Sequence, residues 1–160
     1  KIFFVIIGFF VFLFSNFLHA ENTLTGLSEI EVIVDIYYSN EAAEEYCQLN
    51  ERKFIEEANY FFNKSIIKVN SEAHTKLKIG FQILSITSNT VDGCAGRHEL
   101  ILYEYVDANV SYSSDPFRRK FMLFDTSIQY NRSLDFFEEK SLDIMNTSNK
   151  LFMNKWYEGN

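Results

Sequence analysis

Residues 29–38 read EIEVIVDIYY, and the fold follows from their alternation. Ile30, Val32, Val34, Ile36 and Tyr38 share one side of an extended chain; Glu31, Ile33, Asp35 and Tyr37 share the other. Successive side chains of a strand point to opposite faces, so a period of two rich in β-branched residues marks a half-buried β-strand.

The same period returns downstream. In Thr75–Ile86, Leu77, Ile79, Phe81 and Ile83 stand on one face, with Lys76, Lys78 and Gln82 opposite. Glu99–Tyr112 places Leu100, Leu102, Val106 and Val110 together with Glu104, and Arg119–Tyr130 forms a less regular fourth strand. The run SNTVDGCAG (88–96) carries Asp92-Gly93 and Gly96 and predicts a turn; Asp115-Pro116 predicts another.

Two segments change to helical spacing. Glu41–Lys64 is helical, in one piece or two, with Asn50 as an N-cap and Leu49 and Phe54 at the positions of a hydrophobic staple. Phe54, Ile55, Ala58, Phe61 and Phe62 then form an apolar stripe. After Ser133, a capping residue, Leu134, Phe137, Ile144, Met145, Leu151, Phe152 and Trp156 occupy one broad face of a second long helix. The order is β-α-β-β-β-α. Short turns between consecutive strands give hairpins, and two amphipathic helices need an apolar surface to cover. The expectation is an α+β two-layer sandwich: a four-stranded, mainly antiparallel sheet with two helices on one face.

The front of the chain differs from the rest. Lys1 precedes an apolar run from Ile2 to Leu18, and His19-Ala20 precedes a polar stretch. A cation, an apolar run and a small residue make the order of a secretory signal, with cleavage expected after Ala20. Residues 1–20 are therefore expected to be a signal peptide and 21–160 one domain, periplasmic or secreted. The alternative is an uncleaved membrane anchor. Against it, the run is interrupted by Ser15-Asn16 and falls short of the roughly 20 residues a spanning helix needs. Without Lys1, 14 Lys and Arg face 22 Asp and Glu, a formal charge of −8. Such a balance repels phosphate backbones, so nucleic acid is not an expected partner. The two cysteines, Cys47 and Cys94, both follow the signal, and an even count in an exported chain predicts one disulfide.

Cys47 ahead of a helix, Gly93-Cys94 between strands, and a long last helix closing with Trp156 to Asn160 resemble a loose set of uncharacterised small secreted bacterial proteins. At the level of fold the chain also looks like the sheet-and-helix modules of envelope-assembly and transport-accessory proteins. The resemblance implies a module that binds other proteins.

Chemistry is sparse. After the signal only His74 and His98 remain as bases for neutral pH, and neither stands in a nucleophile–base pattern. His98, in Gly96-Arg97-His98-Glu99, reads as a surface loop residue beside acids. No Cys-x-x-Cys pair, His-Glu-x-x-His helix, glycine-rich phosphate loop or calcium loop occurs, so no catalytic site, metal or cofactor is expected. What remains is surface. Ile33, Tyr37, Leu84, Ile86, Ile101, Tyr103 and Tyr105 fall on the second parity of their strands and would line a sheet face without helices. An open face rich in Tyr and Ile is a candidate interaction patch; the alternative is ordinary half-exposed sheet residues. The expectation is a non-enzymatic binding or envelope-accessory module acting on an unknown protein partner or on itself. The alternative is a small-ligand or lipid-binding protein.

Overall fold

The computed structural model describes residues 24–88, 91–108 and 117–160. Strand β1 (Glu29–Tyr38) is followed by helices α1 (Glu41–Tyr46) and α2 (Glu51–Asn63). Strands β2 (Lys68–Val69), β3 (Thr75–Ser88), β4 (Val91–Ala108) and β5 (Phe117–Ser133) come next. A 3-10 turn (Leu134–Phe136) then leads into helix α3 (Phe137–Gly159). The signal expected over residues 1–20, Val110 and the Asp115-Pro116 turn lie outside the described residues.

The fold is α+β, but among the described residues its sheet is mixed and has five strands, in the order β2-β1-β3-β4-β5. β1 runs parallel to both neighbours, Glu29 opposite Lys68 and Val34 opposite Ile79. Only β3, β4 and β5 form the expected antiparallel hairpins. The four-stranded sheet and the simple β-α-β-β-β-α order are thereby corrected. The physical reason is the crossover: α1 and α2 carry the chain back along the sheet before β3 begins, and a strand re-entering after helices pairs in parallel. β2, two residues long, is too short for any period to reveal.

The helical segment is two helices. Asn40 Oδ1 accepts from Ala43 N–H at 2.7 Å and caps α1, while Asn50 Oδ1 accepts from Lys53 N–H at 3.3 Å and caps α2. Leu49 and Phe54 are both buried, as a staple across this cap requires. Between the helices lies Cys47, bonded to Cys94 with an S–S length of 2.02 Å. The turn expected at 88–96 is also corrected. β3 and β4 stay paired from Thr75 opposite Glu104 to Ser88 opposite Val91, so Gly93, Cys94 and Gly96 lie within a strand. A glycine there marks close approach rather than a turn.

One face of the sheet holds the core. Leu77, Ile79, Phe81 and Ile83 of β3 and Leu100 and Leu102 of β4 are buried beneath Phe54, Ala58 and Phe62 of α2 and Phe137, Met145, Phe152 and Trp156 of α3. Phe54 meets Phe81 edge-on with centroids 4.9 Å apart, and Phe152 contacts Phe62 at 6.0 Å and Phe124 at 5.4 Å. Each such ring contributes about 1.5–3 kcal/mol by burial alone. Leu151 departs from expectation and is exposed, because it lies on the outer side of α3.

The far end of α3 grips the entry to β1. Trp156 Nε1–H donates to Leu27 O at 3.0 Å, and Thr25 Oγ–H donates to Gly159 O at 2.8 Å. Asn160 Oδ1 accepts from Gly26 N–H at 2.9 Å, where φ is +81° and glycine fits without strain.

Candidate functional site

The face opposite the helices is built by cross-strand rows. Register places Glu31, Lys76, Tyr103 and Met122 in one row and Ile33, Lys78, Ile101 and Asp125 in the next. Beyond them run Asp35, Gly80, Glu99 and Ser127, then Tyr37, Gln82, Arg97 and Gln129. Leu84 pairs with Ala95, and Ile86 with Gly93. All seven residues singled out from the sequence therefore share this face, as their parity requires.

They do not form one apolar patch. A belt of charge crosses the middle of the face and divides them. Lys76 bonds Glu31, and Lys78 reaches Asp35 at 2.8 Å and Glu99 at 3.8 Å. The hydrogen bond to Asp35 raises the pKa of Lys78 against an opposing effect of burial. Gly80 belongs to this belt: a Cβ there would fall 2.7 Å from Glu99 Cγ, so its absence lets Glu99 fold over the sheet.

On one side of the belt stand Tyr103 and Tyr105, ring centroids 5.6 Å apart. Lys120 Nζ lies 3.8 Å from the Tyr103 centroid, and the Arg118 guanidinium lies 4.8 Å from that of Tyr105. Tyr103 is only 7% exposed under these neighbours, whereas Tyr105 is open. Burial raises the Tyr103 pKa, so the phenol stays protonated. At this end of the face Tyr103 is covered by its own cation–π contact with Lys120.

On the other side Tyr37, Leu84 and Ile86 are exposed, at 61%, 46% and 40%. Leu84 lines a groove of about 630 Å³ together with Gln82, Ala95, Arg97, Gln129 and Asn131. A smaller hollow of about 360 Å³ adjoins it, walled by Asp35, Tyr37 and Glu99 and sharing Arg97 and Gln82. Arg97 is exposed and makes no ion pair among the described residues. Sequence reasoning missed Arg97, Gln82 and Gln129 as site residues because only apolar members of the second parity were collected. The same alternation passes through them.

His98 is corrected from a surface loop residue to a buried strand residue. It stands on the helix-covered face, 0% exposed, its ring tilted against that of Phe81 with centroids 4.7 Å apart. Its Nδ1–H donates to Gly80 O at 3.1 Å, and burial lowers its pKa to about 4. His98 is therefore neutral at pH 7 and shut off from solvent. His74 is exposed at the entrance to β3. Among the described residues no group of three His, Cys, Asp or Glu side chains is placed to hold a metal ion, and no helix is long and apolar enough to cross a membrane.

No protein-family model matches this chain, and no curated protein matches it in sequence.

Proposed function

We propose that the protein is an exported, non-enzymatic binding module that docks on a protein partner through the helix-free sheet face. One observation carries the reading: Tyr37 and Leu84 are open beside an exposed Arg97 that has no ion-pair partner among the described residues, with exposed Ile86 farther along the same face. Exposed aromatic and aliphatic side chains about an arginine form the composition typical of interface centres. The amides of Gln82 and Gln129 flank the guanidinium along the same row and add hydrogen-bonding groups around the anchor. A carboxylate of the partner, held by Arg97 in a two-bonded fork, would complete the contact.

Export rests on the expected signal, and the Cys47–Cys94 bridge supports an oxidising compartment. Burial shuts His98, one of the two candidate bases, away from solvent.

The test places a photo-crosslinking residue at position 84 in cells, with one at exposed Tyr60 on the helical side as control. A discrete adduct from position 84, lost on Arg97→Glu, is the expected result. Absence of an adduct, or one indifferent to Arg97→Glu, would remove this reading.

A further inference from the structure

We infer that the groove between α2 and α3 is a binding site for a small aryl carboxylate. It lies in the helical layer, remote from the sheet face discussed above, and does not depend on that reading. Its volume is about 440 Å³, within the range of small-molecule sites.

The lining divides by chemistry. Met153, buried, and Phe61, half-buried, provide an apolar floor, and exposed Tyr60 and Tyr157 stand at its sides. A thioether among aromatic faces favours a flat ring over an aliphatic chain. Two ammonium groups, Lys64 and Lys150, border this floor against one carboxylate, Glu57. Lys64 Nζ sits 3.9 Å from the Tyr60 centroid, which holds that charge at the groove. In a chain of net charge −7 this is a local excess of positive charge beside an apolar floor. Its complement is a ring bearing a negative group.

The charge should be single. Glu57 lowers the local potential, and α2 ends at Asn63 with its negative pole toward Lys64. A monoanion suits that balance better than a phosphate dianion.

The probe is 4-hydroxyphenylacetate, titrated into the ¹⁵N-labelled, disulfide-bonded protein and followed by amide chemical shifts. Saturable shifts at Phe61, Lys64, Asn146 and Met153 are expected, with the neutral 4-hydroxyphenylacetamide about tenfold weaker, the equivalent of one charge-assisted contact. Lys150→Gln should weaken the acid several-fold and Glu57→Gln should tighten it. Tyr37→Ser, on the sheet face, should leave it unchanged, which keeps this result separate from the partner-docking test. No saturable shift by about 10 mM, where affinity is too weak to matter, would overturn the inference. Equal binding of acid and amide, or weakening by Glu57→Gln, would overturn it too.

Discussion

The ring of Tyr130 lies against the backbone of Gly96: a Cβ at Gly96 would fall 2.4 Å from Tyr130 Cζ. The two residues are directly paired across β4 and β5. Tyr130 is held there from above, stacked 5.5 Å from Phe137 and hydrogen-bonded at 2.7 Å to Ser141 Oγ. A bare glycine in a strand is weak, and an aromatic cross-strand neighbour laid over it restores the lost packing. Gly96→Ala should therefore cost about 1–3 kcal/mol by overpacking. In a Tyr130→Ala background the same substitution should cost nothing. Urea unfolding of the four proteins gives the coupling directly, and an unchanged cost in both backgrounds would refute the contact.

The Cys47–Cys94 bridge closes a loop across 47 residues and ties the α1–α2 junction to the start of β4. Chain entropy alone gives roughly 4 kcal/mol for such a loop. The double substitution Cys47→Ala, Cys94→Ala should lower unfolding free energy by about 2–5 kcal/mol, and thermal unfolding at neutral pH would measure it. A loss well under 1 kcal/mol would mean that β1, α1 and β4 hold their places without the bridge.

His98 predicts a specific acid sensitivity. Its folded pKa of about 4 is below the ordinary 6.5, because burial disfavours the charged ring. Above pH 6.5 both states are neutral at this site and nothing is lost. As pH falls from 6.5 toward 4, the unfolded chain takes up a proton that the folded chain refuses, so stability declines. The decline amounts to about 3 kcal/mol by pH 4. His98→Gln should be less stable at pH 7 yet lose less between pH 6.5 and pH 4.5. Parallel curves for the two proteins would contradict the buried, neutral imidazole.

Asn160 makes three side-chain bonds: to Gly26 N–H at 2.9 Å, to Leu24 O at 3.3 Å and to Trp156 O at 2.9 Å. Asn160→Ala should release the segment ahead of β1 while leaving the sheet intact. Hydrogen exchange at Gly26 should then accelerate at least tenfold, as for loss of a bond of about 1.4 kcal/mol, with amides of β3 unchanged. An unaltered Gly26 rate would show that Trp156 and Thr25 suffice.

Much of this architecture is legible in local periods. The alternation in 29–38 and 75–86 sorted covered from open positions correctly, and the cap at Asn50 with its Leu49–Phe54 staple appears where the residues place it. The reading failed where a residue's meaning depends on a distant neighbour. Glycines at 93 and 96 look like turn residues until β5 is seen alongside them, with Ser133 opposite Gly93 and Tyr130 over Gly96. His98 looks like a loop residue until β3 and β4 extend past it. The open face looks apolar when only the apolar residues of the second parity are collected; in the sheet Lys76 and Lys78 form a charged belt across it.

The order of residues by itself determined the alternation of β1 and β3 and the cap that opens α2, because backbone geometry imposes periods of two and 3.6 on any chain. Only the tertiary structure decided that β1 joins β3 in parallel, that Lys78 stands between Asp35 and Glu99, and that Tyr103 is shielded while Tyr37 is open. Those outcomes are set by which strands become neighbours. That choice is made by packing α1 and α2 over the sheet between β1 and β3, and no window of local sequence contains it.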